Sequence, residues 1–232
     1  MIVLFWIAVL PELFLIRKVY IMDKVEKEPA GLLFFLVLFG AVSVLPVGIL
    51  ENTLGDLLIG FLHPSGIPYL IVENVVVVAL LEEGVKYLVL DRCSWDHPAF
   101  DHEFDGIVYA VCAGMGFSLI ENIMYVFEYG LETGIIRMLT AVPAHAIFAI
   151  FMGHYYGIAK TAYYFGDRKL FRRSRRMALL VPVILHGVYD IAASLDTIIG
   201  DCVFVALVVV MDITALVKLG RYSAQDRRIR DS

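Results

Sequence analysis

The amino-acid sequence predicts an all-α fold: a polytopic bundle of about seven transmembrane helices, N-terminus outside and C-terminus inside. Three observations carry this. Apolar residues make up 60% of the 232 and charged residues 19%, against about 45–50% and 25% in soluble domains, so a water-soluble core would lack polar surface to cover it. Apolar runs of about 20 residues, the length that crosses about 30 Å of hydrocarbon, recur along the whole chain. Lys and Arg gather in alternate connectors, the bias that sets orientation in a membrane.

The apolar runs place spans at 1–19, 31–50, 69–91, 106–128, 137–164, 177–196 and 202–219, in a single domain covering 1–232. The connectors Asp23-Lys24-Val25-Glu26-Lys27-Glu28-Pro29 and Arg168-Lys169-Leu170-Phe171-Arg172-Arg173-Ser174-Arg175-Arg176 are basic. Setting both inside also brings Lys218, Arg221, Arg227, Arg228 and Arg230 inside, and leaves the outer loops 51–68, 129–136 and 197–201 without Lys or Arg. The inner loop 92–105 is mostly acidic, but acidic residues weigh little in this rule. Segment 54–62 is apolar but too short to span, which predicts an interfacial stretch. The first run lacks a basic n-region and a small-residue cleavage site, and reads as a retained helix. Small residues at four-residue spacing, Ala149, Gly153 and Gly157, predict close helix packing.

Composition excludes several classes. A net charge of −5 gives nucleic acid no support, and Cys93, Cys112 and Cys202 form neither a paired disulfide framework nor a C-x-x-C zinc motif. The partner that the sequence demands is the lipid bilayer.

Function is signalled by ionisable residues inside apolar helices, each costing on the order of 2.5–3.5 kcal/mol at mid-bilayer. The third span carries Glu82, Glu83 and Lys86, the fourth Glu121 and Asn122, the fifth His145, the sixth His186 and Asp190. In an antiparallel hairpin, residues equidistant from the tip share a depth. Glu83 and Glu121 flank the loop 92–105 symmetrically, Glu121 and His145 flank 129–136, and His186 lies near the middle of its span. All four helices therefore contribute polar groups at one level. Lys86 is within reach of either glutamate on one helix face, and Asp190, four residues after His186, is placed to orient its ring. Adjacent Glu82 and Glu83 point about 100° apart and cannot face one cavity equally. Glu73, Asp105, His154 and Asp212 lie nearer helix ends or lack an evident partner, and read as structural or interfacial.

Several known membrane-protease signatures are missing. There is no H-E-x-x-H, Gly116-Phe117-Ser118-Leu119 lacks the second glycine of a rhomboid-like serine site, and Tyr189-Asp190 with Gly200-Asp201 fails the presenilin-type aspartyl pattern. Five ordered blocks instead resemble the PrsW intramembrane proteases, relatives of the CAAX prenyl protease and bacteriocin-processing group. These are Leu81-Glu82-Glu83-Gly84-Val85-Lys86, Phe104-Asp105-Gly106-Ile107-Val108-Tyr109-Ala110, Gly116-Phe117-Ser118-Leu119-Ile120-Glu121-Asn122-Ile123, Pro143-Ala144-His145-Ala146 with Met152-Gly153, and Leu185-His186-Gly187-Val188-Tyr189-Asp190.

The resemblance implies a multi-pass peptidase of the cell membrane whose substrate is a membrane-anchored regulator, an anti-sigma factor cut first under envelope stress. It makes Glu82, Glu83, His145, His186 and Glu121 the expected catalytic set, with Lys86, Asn122 and Asp190 in support. Glu82 or Glu83 would be the general base on a water, and His145 and His186, with Asn122, would donate to the oxyanion. Alternatively, Glu83, Glu121, His145 and His186 would hold a divalent metal such as zinc. Two rival readings use the same residues: a proton- or ion-coupled transporter, against which stands the absence of inverted repeats and interrupted helices, and a noncatalytic binding or immunity protein on the same scaffold.

Overall fold

The computed structural model describes residues 1–64 and 66–229; Ser65 and residues 230–232, Arg230 of the basic cluster among them, lie outside that description. Among the described residues the chain forms helices and the connectors between them, with an isolated bridge between His102 and Arg228. In order, α1 is Ile2–Met22, α2 Ala30–Ile59, α3 Ile67–Ile71, α4 Leu80–Ser94, α5 Asp105–Tyr129, α6 Leu131–Leu139, α7 Ala141–Tyr164, α8 Arg168–Ala193 and α9 Ile198–Ala224. A π-helical segment, Val72–Ala79, joins α3 to α4 in one rod.

Five helical stretches are long and apolar enough to cross a membrane: Ala30–Ile59, Asp105–Tyr129, Leu131–Tyr164, Arg168–Ala193 and Ile198–Ala224. The two other rods expected to span carry charge, with Glu12, Arg17 and Lys18 in α1, and Glu73, Glu82, Glu83 and Lys86 along Ile67–Ser94. The chain is a multi-pass helical membrane protein. In hydrocarbon only helices satisfy their own backbone, and the outer ones turn apolar side chains outward: Val205, Val210, Ile213 and Leu216 of α9 are all exposed.

Helix α5 is the hub, packed against α1, α2, α4, α6 and α7. Its first fourteen residues, Asp105 to Ser118, are all buried, because a run so rich in Gly, Ala and Cys admits neighbours on every side. A Cβ on Gly153 or Gly157 of α7 would collide with the backbone of Gly106 or Glu103, so the small-residue stripe brings α7 against the start of α5.

Several expectations are corrected. Segment 54–62 is no separate interfacial piece, because α2 runs on unbroken to Ile59. The basic stretch Arg168–Arg176 belongs to α8 rather than to a connector, since the Asp167 carboxylate caps it, accepting from the N–H groups of Lys169 at 3.1 Å and Leu170 at 2.9 Å. The helix expected to start at 137 begins as α6 and breaks at Thr140 before α7. Two of the side chains assigned structural roles have clear partners: Glu73 accepts from Tyr69 Oη at 2.8 Å, and His154 stacks on Tyr222 with ring centroids 3.8 Å apart.

Candidate active site

Glu82, Glu83 and Lys86 occupy the first two turns of α4, directly after the π-helical segment. That segment contains Val75 to Val78, and β-branched residues lose rotamer freedom in a regular α-helix. Single π turns are rare and recur at functional sites. Opposite it, the Gly187 position of α8 admits Val75 so closely that a Cβ would meet Val75 Cγ2 at 2.7 Å. This approach sets the neighbouring His186 beside α4.

The polar groups converge on the Lys86 ammonium. It donates to Glu82 Oε2 at 2.9 Å and Glu83 Oε1 at 2.8 Å, and lies 3.1 Å from His145 Nδ1. His186 Nδ1 is 3.0 Å from the same Glu83 Oε1. Glu82, Glu83, Lys86, His145 and His186 are all buried. Aromatic walls hold them: Phe148 stacks on the His186 ring at 4.7 Å, and Phe117 lies under the ammonium at 4.3 Å, the arrangement in which a ring quadrupole favours a cation.

Each imidazole has an inner and an outer face. An ammonium only donates, so His145 Nδ1 accepts, which leaves the ring proton on Nε2 to be given to Glu121 Oε2 at 2.9 Å. His186 Nε2 lies 3.2 Å from Asp190 Oδ2, the i,i+4 contact expected from the sequence. Glu121 is held in turn by Arg137, 3.1 Å from Oε1. The expected catalytic residues are therefore brought together, with Glu121 in the layer behind His145 rather than at the centre.

The centre opens into a cavity of about 1030 Å³, walled by residues of α2, α5, α7 and α8 and reaching Glu51, Glu128, Tyr129 and Ser194 near their ends. Glu82, Glu121, His145, His186 and Asp190 line it, whereas Glu83 does not. Asn122 is not brought to the cavity: its amide donates to the Ala8 carbonyl at 3.2 Å and accepts from Arg137 Nε at 3.0 Å. It fastens α1 and α6 to α5, so the expected contact with an oxyanion is corrected.

Sequence reasoning passed over Arg137 and Glu51, both on the cavity wall. Arg137 heads an otherwise apolar expected span, a position from which an arginine reaches the interface at little cost and so carries little signal. Glu51 was placed in an outer loop, although it continues α2.

Glu82, Glu83, His145 and His186 each offer a donor atom within 4.8 Å of the others. Two carboxylates and two imidazoles fit the preferences of zinc. Each ring turns its other nitrogen toward an outer carboxylate, as metal-bound histidines do, and the Lys86 ammonium already sits against three of the four groups, Glu82, Glu83 and His145. This set differs from the expected one in having Glu82 where Glu121 was placed.

Fold and site together define a class, a multi-pass helical membrane protein with a buried carboxylate–imidazole centre at the head of a large cavity. Comparison with known proteins narrows it. The family model described as PrsW family intramembrane metalloprotease matches residues 28–217, and the chain belongs to that family, which makes it a peptidase. It is 37% identical over 183 residues to Protease PrsW of Geobacillus kaustophilus, covering 79% of this chain and 76% of that one. To Protease PrsW of Oceanobacillus iheyensis it is 34% identical over 183 residues, 79% of each chain. To that of Clostridioides difficile it is 32% identical over 230 residues, 97% of this chain and 94% of the other. No solved structure matches.

Proposed function

We propose that this protein cuts a single-pass membrane regulator of the anti-sigma-factor type within the cell membrane, making the first of two cleavages, with Glu82 as the general base. The observation that carries the assignment of the base is the division between the adjacent glutamates: Glu82 lines the cavity, while Glu83 sits behind it between Lys86 and His186. A water in the cavity has access to the Glu82 carboxylate, and Lys86 holds that carboxylate by its Oε2. Proton removal from the attacking water is the step Glu82 supports, as a general base within hydrogen-bond reach.

His145 and His186 act on the peptide carbonyl from the other wall. Both nitrogens of each ring already face a neighbour, and the His145 proton is on Nε2, so His145 donates to a developing oxyanion by turning that N–H from Glu121, and His186 by giving up one of its two carboxylate contacts. Glu121 and Asp190 keep the rings oriented. If the protein carries a divalent ion such as zinc, Glu82, Glu83, His145 and His186 are the residues that would hold it, and the ion would supply Lewis-acid polarisation of the carbonyl and a more acidic water. With the orientation predicted by the basic residues, the cavity mouth faces outward, which suits cleavage of a substrate near its outer membrane boundary.

The test is co-expression of a tagged single-pass anti-sigma factor with the wild type and with Glu82→Ala, Glu83→Ala, His145→Ala and His186→Ala. Loss of the cleavage product at unchanged protein level is expected for each. Cleavage that survives all four, with normal insertion, would remove the site from consideration. Dialysis against a zinc chelator, with metal analysis of the purified protein, separates the metal-assisted from the metal-free version.

A further inference from the structure

A second acidic group lies at the other end of α5. Asp105, on its first turn, is sixteen residues before Glu121, about 24 Å of helix rise. Asp23 and Glu28, from the connector between α1 and α2, meet it: one oxygen from each of the three lies within 4.8 Å of one from each of the others. Their relative exposures are only 1%, 3% and 1% for Asp23, Glu28 and Asp105, and three carboxylates so close and so dry require either shared protons or a cation.

The hydrogen bonds around the group leave part of it unmet. Asp105 Oδ2 accepts from the main-chain N–H groups of Asp101 at 3.0 Å and His102 at 2.7 Å, and Glu28 Oε2 accepts from the Tyr109 hydroxyl. Asp23 Oδ2 and Glu28 Oε1 are buried without any donor. Lys27, which directly precedes Glu28, is bound to main-chain oxygens, those of Tyr20 at 2.7 Å and of Asp23.

We propose that Asp23, Glu28 and Asp105 bind one hard divalent cation, Mg²⁺ or Ca²⁺, which ties the α1–α2 connector to the start of α5. All three donors are carboxylates, the set that such ions take, without the nitrogen or sulfur that would favour zinc. The C-terminal segment folds over the same region, through the N–H of Phe104 on Asp226 Oδ1 at 2.9 Å and the N–H of Ile229 on the Asp101 carbonyl at 2.6 Å. The site thus fastens three segments at the end of the bundle opposite the cavity mouth. It is structural, and separate from the Glu/His centre.

The experiment uses the full chain, purified in detergent and freed of metal with a chelator, with thermal melting followed as MgCl₂ or CaCl₂ is added. The wild type is expected to gain about 5–10 °C near saturation. His145→Ala/His186→Ala should gain as much, while Asp23→Asn and Glu28→Gln should melt no lower than wild type in chelator and gain nothing from cation. A second readout needs no acidic variant: Tb³⁺ should luminesce through Tyr109, Mg²⁺ or Ca²⁺ should quench the signal by competition, and Tyr109→Phe should weaken it several-fold. A wild type indifferent to both cations would mean that the carboxyls share protons and would overturn the proposal. So would a response that persists in Asp23→Asn and Glu28→Gln, or one that vanishes in His145→Ala/His186→Ala.

Discussion

Replacing Lys86 by Met tests whether the ammonium is the ion that makes the glutamate pair tolerable. Its Nζ lies 2.9 Å from one carboxylate and 2.8 Å from the other, with all three side chains buried. At an effective dielectric near 20, each contact is worth about 6 kcal/mol of attraction, much of it offset by taking the ions out of water. Met keeps the volume and removes the charge, so two adjacent buried carboxylates are left without a cation. Removing one partner from such a set costs about 3–5 kcal/mol, which in a chain of this size lowers the melting temperature on the order of 10 °C. The assay is melting in detergent with chelator present, repeated with zinc added. Because Lys86→Met leaves Glu82, Glu83 and the inner nitrogens of His145 and His186 in place, zinc should restore most of the loss in the variant and stabilise it more than the wild type. An unchanged melting temperature in chelator would refute the view that the ammonium neutralises the pair.

Three other outcomes follow from the geometry. Asp190→Asn removes the charge beside the outer nitrogen of His186, 3.2 Å away; cleavage should fall about 10–100-fold with little change in melting. Gly153→Leu forces a side chain into the Gly106 backbone and should cost at least about 3 kcal/mol, seen as loss of folded protein on size-exclusion chromatography. Asn122→Ala releases the Ala8 carbonyl and Arg137, which is itself on the cavity wall. It should therefore lower melting by several degrees and reduce cleavage through Glu121, and the conservative Asn122→Asp should retain more of the Arg137 contact than Ala.

Much of this was legible in the sequence, for a physical reason: in a membrane every charge is conspicuous. The apolar runs located the rods, and hairpin symmetry set Glu121 level with His145, which the structure joins at 2.9 Å. What stayed hidden was whatever depends on where a helix ends or changes pitch. Apolar length does not show that α2 carries Glu51 inside the bundle, that a helix breaks at Thr140, or that Asp167 caps the basic stretch into α8. Arg137 was missed because a basic residue at the edge of a run looks like a boundary. Asn122 was misread because sequence neighbours on a helix point about 100° apart, so standing next to Glu121 is an argument against sharing its cavity.

The same 100° separation bears on the glutamate pair, where the sequence left two roles and no way to assign them. The structure puts both carboxylates on one ammonium, yet only Glu82 on the cavity wall. The difference arises upstream, because the π-helical Val72–Ala79 sets the rotation at which α4 begins, and Gly187 lets α8 press against that segment at Val75. Glu83 is thereby turned toward His186 and Glu82 toward the open space. Putting a larger residue at Gly187 should disturb the division of labour before it disturbs either carboxylate. For Gly187→Ala the expected signature is a cleavage rate that falls while Lys86 still neutralises the pair, so that melting in chelator drops far less than in Lys86→Met. Equal losses of stability in the two variants would mean that the helix approach and the ion cluster are one structural unit, and the assignment of Glu82 as the water-facing base would lose its support.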